Sequence, residues 1–480
     1  MAAQTLTAGT RRRVLFGLLD AESWSWASLK AFFWFIVIIF MLGYIPDRAY
    51  YFTVFPTIDL GLLAWSPVNL CPASNETLPC PAPEGAVLPW QPSPSQVALP
   101  QPRTDGAAVV AGTKLIYIGG SQTAGGAATT TTYVANLYPD GNFSSWTEGP
   151  ALPSAVKNES AAFLGGSVYV FGGTDASGQP TKTAYVLTID PATGQLGQWQ
   201  SAADAKLPID LPAPRTAAAI AVASDGLVIV GGDGGSGPVA DVWKSTIDKG
   251  GKLTAWAPQA SLFRPQSHAI ASIIGSYIWV YAGQDANGPV GAVQRGDIAP
   301  ASDPHPGSIV RWGIKNGPPN LPVARTGATG FMANDALYLV GGSDGKTPRG
   351  EVFWATPNIA GEIAGWEHVP ASDFPAMGLA GSSAVVDGSQ AFLIGGTTSG
   401  GVTGSSARGN LAPQPPFFQL GLVGATVPAL KLSGEIGQQL GYLNAAGAGT
   451  IDFVILILIG YAFAHRDQTR AFFARFRRRG

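Results

Sequence analysis

Seven charged side chains recur at matched places along this chain, and they are its first candidates for chemistry. Arg103, Arg215 and Arg325 each stand 16 residues before a glycine that ends an apolar run. Asp175, Asp233, Asp285 and Asp344 each come shortly after such a glycine. Guanidinium groups form charge-assisted hydrogen bonds with anionic oxygens. Arginines and carboxylates gathered at one place would therefore suit a small anionic or sugar-like ligand. Turn aspartates also cap their own backbone, and arginines can brace neighbouring loops, so two readings stand for these residues. Glu159 and His268 are the acid–base candidates, both placed on small-residue strands. An acid or base with a shifted pKa would need such a deep position. His268, His305, His368 and His465 are scattered without metal-ligand spacing, so no metal site is predicted. No cofactor is predicted either, because the paired glycines end strands and open no phosphate-cradling helix. No residue is assigned a catalytic role.

The elements that position these residues are repeats. "LYLVGG" at 337–342 is an apolar run stopped by two glycines, and close copies are "IYIGG", "VYVFGG", "VIVGG", "WVYAG" and "FLIGG". An unbroken run of this length suits a strand buried on both faces. The last glycines are Gly120, Gly173, Gly232, Gly283, Gly342 and Gly396, spaced by 53, 59, 51, 59 and 54 residues. A period near 50 residues marks a propeller blade. A tryptophan follows each of the first five phrases (Trp146, Trp199, Trp256, Trp312 and Trp366), and a Leu-Pro or similar pair leads to the next unit. These features give four strands per unit.

An apolar run, a double glycine and a downstream tryptophan resemble the kelch repeat, over roughly residues 85–418. Tyr133 and Tyr185 could hold the family's intervening tyrosine, and Ala282-Gly283 replaces one glycine pair. The resemblance implies an all-β, six-bladed kelch-like β-propeller. It does not extend to the kelch copper oxidases, whose crosslinked cysteine and histidine ligands have no counterparts here. "RGD" at 295–297 aligns with "RGN" at 408–410 in another unit, which favours a structural reading over cell adhesion.

The chain has 480 residues, 46% hydrophobic and 12% charged, with a net charge of −2. No basic surface for nucleic acid is implied. Two apolar runs, "LKAFFWFIVIIFMLGYI" (29–45) and "GAGTIDFVILILIGYAFAH" (447–465), are read as transmembrane helices at the two ends of the chain. Arginines precede the first and follow the second, which predicts both termini in the cytoplasm and the propeller on the extracytoplasmic side of the cell membrane. The expected domains are a tail at 1–28, a transmembrane helix at 29–46 and an apolar, proline-rich linker at 47–84. The propeller follows at 85–428, then a linker at 429–446, a second transmembrane helix at 447–465 and a basic tail at 466–480. Cys71 and Cys80 are the only cysteines; both fall in the predicted outer linker, where a disulfide is expected.

A propeller closes when one terminus completes the last blade. "AVLPWQPSPSQVALP" (86–100), with Trp90, fits that outer strand; the rival is the segment at Phe418. Closure by the first places the arginine loops and the glycine loops together on the face opposite the chain ends. The function expected is a membrane-anchored binding or scaffolding module, an accessory subunit of a membrane complex. Its partners would be the membrane and either protein or a small anionic or sugar ligand. The alternative is a carbohydrate-active enzyme, of sugar epimerase or mutarotase type, using the channel.

Overall fold

The computed structural model describes residues 85–92, 97–138, 143–313, 318–358, 360–374, 378–388 and 390–411. It also describes the backbone of short strands at 13–14, 19–20, 58–59, 63–65 and 418–420. The chain divides into two units, 1–68 with 415–480, and 69–414.

The larger unit is six four-stranded antiparallel blades. Blade 1 is Ala107–Ala111, Lys114–Ile118, Thr132–Asn136 and Thr147–Glu148. Blade 2 is Ser160–Leu164, Ser167–Phe171, Ala184–Thr188 and Gln200–Ser201. Blade 3 is Ala219–Ala223, Gly226–Val230, Val242–Thr246 and Ala257–Pro258. Blade 4 is Ile270–Ile274, Tyr277–Tyr281, Val293–Ile298 and Ile309–Trp312. Blade 5 is Thr329–Ala333, Ala336–Val340, Val352–Ala355 and Glu367–His368. Blade 6 is Ser383–Asp387, Gln390–Ile394 and Ser406–Asn410, completed by Gln91–Pro92 from the other end of the unit. Ala407 pairs with Pro92 and Arg408 with Gln91. Phe418–Leu420 instead pairs with Leu63–Trp65 in the smaller unit, whose third strand is Ile58–Asp59.

The repeated sequence marks have structural causes. The glycine phrases are the second strands, and their apolar side chains fill the clefts between blades on both sides. Ile116 and Ile118 of blade 1 meet Val168 and Val170 of blade 2, while Leu115 and Tyr117 meet Phe392 and Ile394 of blade 6. Each tryptophan ties its blade to the one before. Trp256 Nε1 donates to the Ile209 carbonyl at 2.7 Å, Trp312 to Ala260 at 2.8 Å, and the closing Trp90 to Ser372 at 2.9 Å. The second glycine of each pair donates its N–H to a carbonyl in the loop leading into the next blade. The six bonds are Gly120 to Val156, Gly173 to Arg215, Gly232 to Gln266, Gly283 to Arg325, Gly342 to Leu379 and Gly396 to Arg103, at 2.7–3.0 Å.

The expected fold class needs one correction. Among the described residues no helix is long and apolar enough to cross a membrane, and the one helical element is the three-residue turn Pro370–Ser372. The described fold is therefore the all-β propeller, and no flanking transmembrane helix occurs among the described residues. Hydropathy reports the apolar content of a run, not its conformation. The segments 29–46 and 447–465 lie outside the described residues, as do Cys71 and Cys80 with their expected disulfide.

Gly395 tests the closing contact. Its φ is +63°, and a Cβ there would stand 2.5 Å from the Arg103 carbonyl oxygen. Gly178 has φ +82° with nothing within 4 Å of an added Cβ. Gly178→Ala is expected to cost about 1 kcal/mol through φ alone. Gly395→Ala should cost about 3 kcal/mol, because the blade 6–blade 1 junction must also open. Urea denaturation of both variants measures the difference; equal losses would remove the packing argument.

Candidate functional site

The loop leading into each blade contains four residues in register: RTDG (103–106), VKNE (156–159), RTAA (215–218), QSHA (266–269), RTGA (325–328) and LAGS (379–382). The third residue of each has a positive φ: Asp105 59°, Asn158 53°, Ala217 50°, His268 51°, Gly327 59° and Gly381 63°. These six residues form an inner ring at the mouth of the channel. The Asp105 N–H donates to the Gly381 carbonyl, Asn158 to Asp105, Ala217 to Asn158, His268 to Ala217, and Gly381 to Gly327, at 2.6–2.9 Å. Left-handed backbone is costly for residues other than glycine and asparagine. The ring repays that cost by satisfying the amides of Asp105, Asn158, Ala217, His268 and Gly381.

The sequence-predicted arginines are not in this ring. Arg103 and Arg325 are each 1% exposed and Arg215 is 5% exposed. Each side chain runs back along the third strand of its own blade. Arg103 donates to Thr131 Oγ1 at 3.1 Å and to the Tyr133 hydroxyl at 3.2 Å. Arg215 pairs with Asp241 and lies 4.5 Å from the Trp243 ring centroid. Arg325 pairs with Glu351 at 3.0 Å. The aspartates serve their own turns. Asp175 Oδ1 accepts from the Ser177 and Gln179 amides, and Asp233 Oδ1 from Gly235 and Gly237. Asp285 Oδ1 accepts from Asn287, and Asp344 Oδ1 from Lys346 and Thr347. Those bonds hold the Asp175 carboxyl below its ordinary range, led by the Ser177 hydroxyl, and the Asp344 carboxyl well below it, led by the Thr347 amide. The seven residues are therefore not brought together. Arg295 of the RGD triplet is also internal: it lies 4.4 Å from the Tyr277 ring centroid and donates to the Gly361 carbonyl at 2.7 Å.

What the mouth does hold is an exception to the repeat. Five loops end on Gly, Ala or Ser, because the glycine pair of the same blade lies against that residue. Blade 2 carries Glu159 there, 8% exposed. Its Oε1 accepts the Ala107 N–H of blade 1 at 3.1 Å, and its Oε2 is buried without a hydrogen-bond partner. Burial raises the Glu159 carboxyl well above its ordinary value, and Asp105 adds to the effect; the Ala107 amide opposes it. Asp105 is raised by burial too, against the pull of Lys157. The Tyr117 hydroxyl is fully buried without a partner and lies 2.7 Å from where a Cβ on Gly106 would begin. Lys157 Nζ donates to the Gly126 carbonyl at 2.6 Å. Burial lowers His268, on the opposite side of the ring, and Asp233 resists the shift. Glu159 and His268 were legible as candidates from sequence. Asp105, Tyr117, Lys157 and Asn158 were missed, although stacking the six loops exposes VKNE as the odd one. No group of three or more His, Cys, Asp or Glu among the described residues is placed to hold a metal ion.

One family model agrees with this architecture. Residues 105–342 match the family described as the KLHDC2/KLHL20/DRC7 Kelch-repeats domain, a span from the mouth residue of blade 1 to the glycine pair of blade 5. No curated protein matches the chain. A solved structure described as "Structure of YjhT" aligns at 16% identity and a TM-score of 0.47, over 64% of this chain and 95% of that one.

Two outcomes follow from the geometry. Arg215→Ala should lower stability by about 2 kcal/mol, through the lost stacking and hydrogen bonds rather than the half-exposed ion pair; urea denaturation checks this. Glu159→Gln should raise the melting temperature at pH 7. A carboxyl whose folded pKa is raised is neutral in both states below the unfolded value of about 4.3. Above that, the unfolded chain ionises first, so stability falls until the folded pKa is reached. The gap between variant and wild type should be about 2 °C or more at pH 7 and close near pH 4. A variant less stable at both pH values would mean that the carboxyl is a structural asset.

Proposed function

We propose that this chain, which carries a kelch-repeat propeller, works as a binding module through the channel mouth and the loops around it. The observation that supports the reading is the carboxyl of Glu159, placed where the other five loops carry Gly, Ala or Ser. A carboxyl that burial penalises, at a position where five blades use a small residue, is a local cost of the kind found at functional sites. The surrounding loops are held by their own arginines and aspartates, so the surface is rigid before any partner arrives, and rigidity lowers the cost of association. The partner is a protein or a small polar ligand.

The carbohydrate-enzyme reading rests on the same carboxyl, which is suited to act as a neutral acid, with His268 across the ring as a base. One-dimensional exchange NMR on a panel of reducing sugars separates the two. A binding module leaves the anomer exchange rate unchanged, whereas an enzyme accelerates it and loses the acceleration in Glu159→Gln.

The binding reading is tested by capture from the native source with wild type, Lys157→Glu at the mouth, and Lys252→Glu on the opposite face. The charge reversal at Lys157 should cost at least about tenfold in captured partner, and the reversal at Lys252 should cost nothing. Equal loss in both variants, or loss only with Lys252→Glu, would place the binding surface elsewhere.

A further inference from the structure

Blade 4 departs from the repeat in the loop that leads into it. In all six leading loops a Leu or Phe donates its N–H to the chain that starts the preceding blade's third strand, at 2.7–2.9 Å. In five loops proline follows (Pro100, Pro153, Pro212, Pro322 and Pro375), but Leu262 is followed by Phe263. Phe263 is 77% exposed. Arg264, the next residue, is also exposed and forms no ion pair among the described residues. Where three other loops bury Arg103, Arg215 or Arg325, this one buries Gln266, which donates to the Ala282 carbonyl at 2.7 Å. The Gln294 side chain accepts the Arg264 N–H and donates to the Arg264 carbonyl, both at 2.9 Å. Neutral amides thus fix the loop, and its arginine is left outside.

The loop leading into blade 5 runs along the other side of the same segment. Its Leu321 N–H donates to the Gly291 carbonyl at 2.8 Å and its Arg325 N–H to the Val290 carbonyl at 3.3 Å. It carries Val323, 42% exposed. Phe263 with Arg264 on one loop, and Val323 on the other, therefore flank the segment 290–294, about 13 Å of extended chain. Single apolar side chains on a surface are ordinary. Here two flank one segment, beside a cation without a counter-charge, on loops pinned by hydrogen bonds.

We infer that the mouth face of blade 4 is a docking surface for a short protein segment carrying apolar side chains next to a carboxylate. The inference rests on the binding reading above and names the chemistry of one partner contact. Aromatic and arginine side chains dominate the energetic centres of protein interfaces. A guanidinium takes a carboxylate through two parallel hydrogen bonds. The backbone of the loop is ordered before contact, which lowers the cost of association. An anionic lipid surface calls for a cluster of cations; the two flanking loops carry one exposed cation, Arg264.

The test uses the full chain and the peptide acetyl-Asp-Leu-Asp-Phe amide, with 4-fluorophenylalanine as its last residue, observed by ¹⁹F NMR. The resonance should shift on titration, and the Asn-Leu-Asn counterpart should bind at least about tenfold more weakly. Arg264→Glu should weaken the acidic peptide by a similar factor and leave the Asn peptide unchanged. Phe263→Ser and Val323→Ser should each weaken both peptides by about threefold or more. Val310→Ser, 50% exposed on the outer strand of the same blade, should change neither. These are surface positions, so every variant should keep the wild-type melting temperature. No shift with millimolar peptide, equal binding of the two peptides, or a loss in Val310→Ser matching that in Phe263→Ser would each overturn the docking surface. So would Phe263-dependent binding to phosphatidylglycerol vesicles in place of the peptide, which would assign the patch to lipid. If the peptide is silent while Lys157→Glu still abolishes partner capture, the binding module stands and this surface alone falls.

Discussion

A single backbone hydrogen bond, from the second glycine of one blade to the leading loop of the next, is the contact on which the ring depends. It occurs at all six junctions, and the last one, Gly396 to Arg103, joins the two ends of the ring. The donor must turn immediately after a buried strand, and the neighbouring carbonyl must come close. Few side chains fit there, which is why the double glycine is the most regular mark in the sequence. Ala282, the one departure from the pair, takes φ 58° as a non-glycine residue. The tryptophans fasten the same junctions nearer the rim. Mouth and rim are thus bound by different chemistry, backbone amides at one radius and indole N–H groups at the other.

This division explains what could be read from the chain. The blade count and the strand order were legible, because each rests on a backbone or packing constraint that only a few residue types satisfy; closure by the Trp90 strand was favoured over the Phe418 segment without being settled. The positions of Arg103, Arg215 and Arg325 were legible for the same reason, but their directions were not. A residue number fixes a place on a loop; the side chain's course depends on what the third strand offers, and here it offers Tyr133, Asp241 with Trp243, and Glu351. The aspartates show the same limit, since a carboxylate after a glycine pair finds the amides of its own turn before it finds a ligand.

Symmetry also locates the informative residues. In a ring of six similar blades, shared features serve the scaffold and differences are free to serve something else. Glu159 stands where the other five loops carry Gly, Ala or Ser, in a loop whose backbone keeps the register of its neighbours. Its Oε1 accepts an amide of the neighbouring blade, and its Oε2 is buried without a hydrogen-bond partner. The mouth is therefore asymmetric in charge although its backbone is close to six-fold. Polar side chains collect at blades 1, 2 and 4, and bare backbone at blades 5 and 6.

The closing blade has a further consequence. Val87 forms a bridge with Leu411, and the Leu88 amide donates to the Asn410 carbonyl at 2.8 Å, so the propeller's first and last residues lie side by side on adjacent strands. Chain order and ring order are then separable. The ring has no intrinsic first blade: residues 87 and 411 could be joined by a short linker and the chain opened instead at the exposed turn 248–251, and every junction would keep its partners. A circularly permuted propeller would carry the same mouth on the same scaffold, while its new ends left from a different blade. The break falls where the chain enters and leaves the ring, and the six-fold contact is indifferent to it.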